Sequence, residues 1–219
     1  MSAKLWAEIG LGIYETFYMT LASTLLGYVI GLPLGVIRII TRRDGIRQNL
    51  AVNQVLGVIV NIMRSIPFLI LMIAIIPFTR FVMGKSYGST ATIVPLTMAA
   101  FPFISRMVES SLAEVDGGVI EAAQAMGATP MQIIRKVYIP EATPSLISGA
   151  ASVATNILGY SAMAGSVGGG GLGAIAINYG YYRFNAEDMV VCIAIMVVLV
   201  QAMQLVGTRL SVQLDHRLR

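Results

Sequence analysis

Charged side chains are scarce in this sequence, and their scarcity excludes most soluble folds. Only 12% of the 219 residues are charged, whereas soluble domains carry about 25%. Hydrophobic residues make up 56% of the chain, and the mean hydropathy is +0.77. The composition therefore indicates one transmembrane domain over residues 1–219, surrounded by membrane lipid.

Cysteine and histidine each occur once, which excludes several kinds of site. Cys192 is the single cysteine, so no disulfide bond can form within the chain and no cysteine cluster can hold a metal. His216 lies in the charged C-terminal tail, which argues against a Ser–His pair within the membrane. The sequence predicts no catalytic residue and no metal ligand, and therefore a protein that is not an enzyme.

Lysine is also rare, and its three positions exclude a nucleotide-binding P-loop. That loop places a lysine directly after Gly-x-x-x-x-Gly, a pattern that Lys4, Lys85 and Lys136 do not follow. Gly168–Gly173 matches Gly-x-Gly-x-x-Gly, but no strand–turn–helix unit of a soluble sheet surrounds it. We expect these glycines to form a flexible or re-entrant turn, and we expect the chain itself to bind no cofactor.

Five apolar segments reach or approach the length of about 20 residues that a membrane-spanning helix needs. The third is the weakest, because Pro95 and Pro102 interrupt it. The sequence predicts an all-α polytopic membrane protein with five transmembrane helices. The segments run from about Ile13 to Ile37, Val55 to Phe78, Thr90 to Val108, Pro144 to Val167 and Met189 to Val206.

Positive charges fall unevenly on the two sides of this topology, which accounts for the net charge of +4 without a nucleic-acid partner. Because positively charged loops stay in the cytoplasm, we expect a cell-membrane protein with its N-terminus outside and its C-terminus in the cytoplasm. Arg64 lies inside the second span. The cytoplasmic residues would be Arg38, Arg42, Arg43, Arg47, Arg106, Arg135, Lys136, Arg209, Arg217 and Arg219, and the outer ones Lys4, Arg80, Lys85 and Arg183.

The cytoplasmic segment from Glu109 to Pro140 is polar and favours short helices. Asp116–Gly118 is expected to break the chain, and the alanine-rich run Val119–Met126 then favours a helix that Gly127 ends. Glu121 falls in the first turn of this predicted helix, where a carboxylate offsets the positive helix end.

A second short helix is predicted directly afterwards. Thr129 offers an N-cap, Pro130 fits the first helical position and Gln132 completes a capping box. Pro140 is expected to end this helix or to turn it toward the next span. The residue pattern alone fits two ordinary surface helices as well as a surface that another protein contacts.

Arg64 is the costliest residue within the predicted spans, since a charge at mid-membrane costs about 2.5–3.5 kcal/mol on insertion scales. Asn61 and Ser65 lie close to it on the same segment. These three residues fit a pore or gate, while a buried ion pair, a hydrogen bond to another span or snorkelling also explains Arg64. Glu15 is expected at the outer membrane interface.

Tyr160, Ser161 and Met163 are the other candidate pore residues, and they lie in the fourth predicted span. Their helical spacing places Tyr160 and Met163 on one face. A thioether and small hydroxyl groups fit a weak, passing contact with an amino acid, but ordinary packing between helices explains them too.

Glu121-Ala122-Ala123, followed by Gly127 and by Ile139-Pro140, resembles the EAA loop of bacterial ABC importer permeases. Leu-Pro is the usual last pair in that family. The resemblance implies that residues 109–140 contain a coupling helix that docks into a groove on an ATPase. The residues it assigns to this contact are Glu121, Ala122, Ala123, Met126, Gly127 and Ala128.

A closer resemblance, to the methionine-uptake permeases, covers nearly the whole chain. It is carried by Arg64–Phe68, Ile76–Arg80, Gly127–Ile133 and Gly159–Met163. It implies a homodimeric permease with two cytoplasmic ABC ATPase subunits, which hold ATP and Mg, and with an extracytoplasmic substrate-binding protein. The implied cargo is L- or D-methionine or a related small amino acid, and a different small substrate stays open.

A secondary transporter or channel is the main alternative. It would need no ATPase and would more often show intramembrane carboxylates or internal repeats. The predicted spans carry no acidic residue near their centres, and five spans cannot form two equal halves. The expected function is therefore that of an ABC importer permease that moves its substrate by alternating access.

Overall fold

A computed structural model describes residues 3–214, which form helices and connecting turns without a strand. The all-α prediction is thus confirmed for this part of the chain, and His216, Arg217 and Arg219 lie outside it. The α-helices are α1 (Ala3–Thr41), α2 (Leu50–Ser65), α3 (Phe68–Ala74), α4 (Ile76–Met83), α5 (Ser89–Ala113), α6 (Gly117–Ala125), α7 (Pro130–Ile133), α8 (Ile139–Ala164), α9 (Gly171–Ile175) and α10 (Ala186–Leu214). Two π-helical segments, Ile134–Tyr138 and Ala176–Tyr181, and a 3₁₀ turn at Gly165–Val167 connect some of them.

Three of the described helices are long and apolar enough to cross a membrane: α1 over Leu5–Thr41, α5 and α10. A fourth crossing results if α2 and α3, bent by 100° to each other, count as one span. α8 is not among them, although it has 26 residues. Its Ser, Thr, Gly, Pro and Asn residues lower its mean hydropathy. The prediction of a multi-pass helical membrane protein is confirmed at this level.

The second predicted span, Val55–Phe78, is interrupted. Ile66 has extended backbone angles (φ −80°, ψ 122°), and Pro67 (φ −58°, ψ 134°) precedes α3. Because a residue before proline avoids the α region, α2 ends at Ser65. The expectation of one continuous helix here was wrong, and the proline that breaks it was visible in the sequence.

Helices α1 and α5 form the central pair of the bundle, and glycines allow their close approach. Gly27, Gly31 and Gly35 recur every fourth residue on the face of α1 that meets α5. A Cβ atom at Gly31 would lie 2.7 Å from the Phe101 carbonyl oxygen and 2.8 Å from Ile104 Cβ. Small residues at this spacing are typical of tightly packed membrane helices.

The bundle has two distinct ends. At one end, which we call the α6 end, the C-terminal parts of α1 and α5 meet α6 and α7. The hydroxyl group of Ser211 on α10 donates to the Pro144 carbonyl oxygen at the start of α8 (2.7 Å), so both helices also reach this end. At the other end, which we call the glycine-loop end, Gly88 donates a backbone hydrogen bond to Gly168 (2.8 Å).

The glycine run forms a turn that α1 anchors. Gly168, Gly170 and Gly171 have left-handed backbone angles (φ 84°, 82° and 72°), which glycine adopts without steric cost. The Glu15 carboxylate accepts a hydrogen bond from the Gly171 amide (2.7 Å), and Thr16 Oγ1 accepts one from Leu172 (3.0 Å). A dinucleotide-binding role therefore has no support in the fold, and Glu15 is a structural anchor of this turn.

Replacing Glu15 with alanine is expected to loosen the glycine turn. The variant loses a charge-assisted hydrogen bond to Gly171, which costs about 1.5–3 kcal/mol. Hydrogen–deuterium exchange over residues 168–173 should become faster, and the thermal unfolding midpoint should fall. Glu114→Ala, which removes an exposed carboxylate at the α6 end, is the control; equal exchange in both variants would contradict the anchoring role.

Candidate functional site

The Glu-Ala-Ala segment folds as helix α6, which begins before the predicted start at Val119. Asp116 is its N-cap, and its Oδ1 accepts a hydrogen bond from the Gly118 amide at 2.7 Å. Aspartate is a strong N-cap, so the two glycines start the helix and do not break the chain. Glu121 consequently lies beyond the first turn, and the prediction that it offsets the helix dipole there was wrong.

Gly127 terminates helix α6, as the sequence predicts. Its backbone is left-handed (φ 78°), its amide donates to the Gln124 oxygen (2.9 Å) and the Ala128 amide donates to the Ala123 oxygen (3.1 Å). These two bonds form a Schellman motif. Any side chain at position 127 costs about 1–2 kcal/mol in this conformation, so the motif favours glycine and directs the chain into α7.

Helix α7 begins with the predicted capping box, which is confirmed. Thr129 Oγ1 accepts a hydrogen bond from the Gln132 amide (3.4 Å), and Gln132 Oε1 accepts one from the Thr129 amide (2.8 Å). Pro130 occupies the first turn. The connection between α6 and α7 is therefore fixed by local hydrogen bonds on both sides.

Pro140 does not end the helical path, so the first of its two predicted outcomes was wrong. The π-helical segment Ile134–Tyr138 precedes it, and the Ile139 amide donates to the Ile134 carbonyl oxygen, five residues back. A π turn shifts the hydrogen-bond register, and Pro140 sits in the first turn of α8, where its missing amide hydrogen costs little. α7 is thus joined to α8 without a loop.

Helix α6 has a buried face and an exposed face, and the Glu-Ala-Ala residues divide between them. Ile120 and Ala123 are buried in the main hydrophobic core, to which α1, α5 and α8 also contribute. Glu121 and Ala122 are exposed, and the Met126 side chain is 81% exposed. We call Glu121, Ala122 and Met126 the α6 surface. Its small alanine between two larger groups lets another protein approach the helix closely.

Glu121 of the α6 surface faces a cavity that the loop between α1 and α2 also lines. The cavity has a volume of about 430 Å³, and its lining includes Arg42, Glu121 and Tyr138. Tyr138 is buried, and burial raises the pKa of its hydroxyl group, while the positive charge of Arg42 lowers it by a smaller amount. The hydroxyl group is therefore neutral at physiological pH.

A polar groove of about 590 Å³ runs along α2 between α1 and α5. It is lined by Arg38 of α1, Arg106 of α5, and Asn61 and Arg64 of α2, among others. Two of the predicted pore residues, Asn61 and Arg64, thus face the same space. Ser65 is exposed, and its hydroxyl group donates to the Asn61 carbonyl oxygen at 2.8 Å. We call this space the arginine groove.

Aromatic rings connect the two groups of predicted pore residues. The Arg64 guanidinium carbon lies 5.2 Å from the centre of the Phe103 ring, and that ring lies 6.4 Å from the Tyr160 ring. Phe68 stacks on Tyr160 with ring centres 4.8 Å apart. Residues from α2, α3, α5 and α8 therefore meet here. Phe103 was not predicted, because only its position in space relates it to Arg64.

The other two predicted pore residues have different surroundings. Ser161 is buried, and its hydroxyl group donates to the Leu158 carbonyl oxygen in its own helix at 2.7 Å. It does not line the arginine groove. Met163 is about half exposed on α8. Of these three α8 residues, Tyr160 is the one that belongs to the aromatic cluster beside Arg64.

Glu109 pairs with two arginines of the arginine groove, a role that was not predicted from the sequence. Its Oε2 pairs with Nη1 of Arg38 and with Nη1 of Arg106, the latter at 2.9 Å. The Arg38 and Glu109 side chains are only 11% and 16% exposed. The three-residue spacing of Arg106 and Glu109 on α5 was a usable signal, whereas the pairing with α1 required the fold.

Comparison with known proteins identifies the family. Residues 17–219 match the family model described as "Binding-protein-dependent transport system inner membrane component". A Vibrio cholerae protein named "Probable D-methionine transport system permease protein MetI" is 49% identical over 93% of this chain and 91% of its own length. The D-methionine transport system permease protein MetI of Escherichia coli K12 is 53% identical over 70% of this chain and 71% of its own length.

A solved structure has nearly the same fold. It is described as "Inward facing conformations of the MetNI methionine ABC transporter", and one of its chains aligns with a TM-score of 0.97 and 47% identity, covering 99% of this chain and 100% of its own length. The extent of the family match and the identity to curated relatives lead to one conclusion: the chain belongs to the binding-protein-dependent transport system inner membrane components.

Proposed function

We propose that this chain is the permease subunit of an ATP-driven ABC importer that carries methionine, in the L or D form, or a related small amino acid into the cytoplasm. The single observation that carries the proposal is the α6 surface, in which Glu121, Ala122 and Met126 are presented on a short helix held by a Schellman motif. The names of the relatives, which refer to D-methionine transport, support the choice of substrate.

Five membrane crossings are proposed for the chain. The helices α2, α3 and α4 would form one interrupted crossing, and α8, with 26 residues, extends about 39 Å at 1.5 Å per residue, which suffices for a crossing in spite of its low hydropathy. The uneven distribution of Arg and Lys favours an outer N-terminus and a cytoplasmic C-terminus. The α6 end would then lie in the cytoplasm and the glycine-loop end outside.

The proposed assembly is a homodimer of this chain with two cytoplasmic ATPase subunits and an extracytoplasmic substrate-binding protein. The ATPases would hold ATP and Mg, and this chain would bind no cofactor. Glu121, Ala122 and Met126 would contact the ATPase directly. Ala123, Gly127 and Ala128 would hold the helix in position, because Ala123 is buried and the other two form its C-terminal turn.

The proposed mechanism is alternating access. Closure of the ATPase dimer on ATP would move α6, and α7 would pass this movement into α8 through the continuous helical path across Ile134–Tyr138. The two permease copies would rock, so that the path between them opens alternately outward and inward. Asn61, Arg64, Ser65 and the region around Tyr160–Met163 are the proposed substrate path.

Reconstitution tests this proposal. Proteoliposomes that contain this chain, its ATPase and its binding protein should accumulate labelled methionine only when ATP is supplied. Omission of the ATPase or of the binding protein should abolish uptake. Uptake that persists without ATP and the ATPase would instead indicate a secondary transporter, and absence of methionine uptake by an assembled complex that hydrolyses ATP would exclude methionine as cargo.

A further inference from the structure

The arginine groove carries an excess of positive charge. Among the described residues that line it are Arg38, Arg64 and Arg106, and no Asp or Glu is among them. Glu109 approaches from the side and pairs with Arg38 and Arg106 through the same carboxylate oxygen. Two of the three guanidinium groups share this one carboxylate, which leaves a net charge of +2 at the groove.

Arg64 is the guanidinium that this carboxylate does not reach. Within the described residues it forms no ion pair. Its guanidinium carbon lies over the face of the Phe103 ring, 5.2 Å from the ring centre. An aromatic face compensates a guanidinium only partly, and a cation in a membrane protein is costly unless it meets water or an anion. The side chain is also exposed to the groove, so an incoming anion can reach it.

The surroundings of Arg64 match the two halves of an amino acid with an apolar side chain. A guanidinium group recognises a carboxylate through two parallel hydrogen bonds. The Phe103 and Tyr160 rings, 6.4 Å apart, lie next to Arg64 but outside the groove lining. A thioether packs favourably against aromatic rings. The amide of Asn61, which also lines the groove, can hydrogen-bond an amino or carboxylate group.

We propose that the arginine groove and the adjacent aromatic rings form a selectivity site. Arg64 binds the α-carboxylate group of the transported amino acid, and Phe103 and Tyr160, beside the groove, contact its side chain. Arg106 and Arg38 extend the positively charged lining of the groove from Arg64 toward the α6 end. The groove thereby favours anionic and zwitterionic substrates over cationic ones. This inference rests on the proposed function, because it requires that the chain forms the substrate path.

The test uses the full complex in proteoliposomes, with methionine uptake and ATP hydrolysis measured in the same samples. Arg64→Gln should lower methionine uptake by about tenfold or more, since it removes a charge-assisted contact with the carboxylate. ATP hydrolysis stimulated by the loaded binding protein should stay within about twofold of wild type, because Arg64 does not contact the α6 surface. Arg64→Lys should restore part of the uptake, as it keeps the charge.

Two further variants separate electrostatics from folding. Asn61→Asp changes almost no side-chain volume, but the new carboxylate would form an ion pair with the Arg64 guanidinium group and compete with the substrate. This variant should therefore lower uptake as strongly as Arg64→Gln. Arg43→Gln, which removes an exposed charge outside the groove, should leave uptake unchanged.

Unchanged uptake in both Arg64→Gln and Asn61→Asp would overturn the inference while leaving the proposed function intact. A parallel loss of uptake, ATP hydrolysis and thermal stability in both variants would assign Arg64 a structural role and overturn it as well. If the wild-type complex takes up no methionine, the proposed function fails, and this inference fails with it.

Discussion

Replacing Ala122 with tryptophan is expected to abolish coupled uptake while leaving the permease folded. Ala122 is exposed on α6, so the larger side chain meets no atom of its own chain that must move. A docked ATPase would meet it, and overfilling a close-packed contact costs about 1–3 kcal/mol or more. We expect methionine uptake and substrate-stimulated ATP hydrolysis to fall together by about tenfold or more, with an unchanged thermal unfolding midpoint.

The adjacent alanine provides the matched comparison. Ala123 is 5% exposed and belongs to the main core, so Ala123→Trp should lower the unfolding midpoint and the yield of folded protein. The two variants carry the same substitution at neighbouring positions and differ only in which face of α6 they change. Wild-type uptake in Ala122→Trp, in a complex that contains the ATPase, would contradict docking at the α6 surface.

Replacing Gly31 with leucine is expected to have the largest effect on stability. A Cβ atom at this position would lie 2.7 Å from a backbone oxygen of α5 and 2.8 Å from Ile104 Cβ and Cγ2. Neither the α5 backbone nor the branched side chain can move without separating α1 from α5. We expect a loss of at least about 1–3 kcal/mol in unfolding free energy, and in practice little folded protein.

Gly10→Leu is the control on the same helix. No atom lies within 4 Å of a Cβ built at Gly10, so this substitution adds bulk without a clash and replaces glycine by a better helix former. Unfolding can be followed with a thiol-reactive dye, because Cys192 is the single cysteine and is 1% exposed. Equal midpoints for the two variants would mean that the α1–α5 contact is looser than described.

Features that depend on neighbouring residues were predictable from the sequence. The capping box of Thr129 and Gln132 and the helix stop at Gly127 were both predicted, since caps act over three to five residues. The two errors, the place of Glu121 in its helix and a helix end at Pro140, were also local. A short helix start was placed two residues late, and the π turn before Pro140 has no simple sequence signal.

Features that depend on distant residues were not predictable. Glu15 and Gly171 are 156 positions apart, so nothing in the sequence assigns the carboxylate to the glycine turn. The spacing of glycines on α1 indicates a close helix contact, but the partner residue Ile104 is known only from the fold. The sequence likewise left several explanations for Arg64 open, because Phe103 and the other two arginines of the groove belong to other helices.

Photo-crosslinking from Met126 tests the central claim, contact between the α6 surface and the ATPase, most directly. A photoreactive amino acid at this position, in an assembled complex that still imports methionine, should cross-link this chain to the ATPase subunit. The matched site is Phe184, which is 91% exposed near the glycine-loop end and should give no product with the ATPase. Absence of an ATPase product from Met126, or equal ATPase products from both positions, would contradict the account.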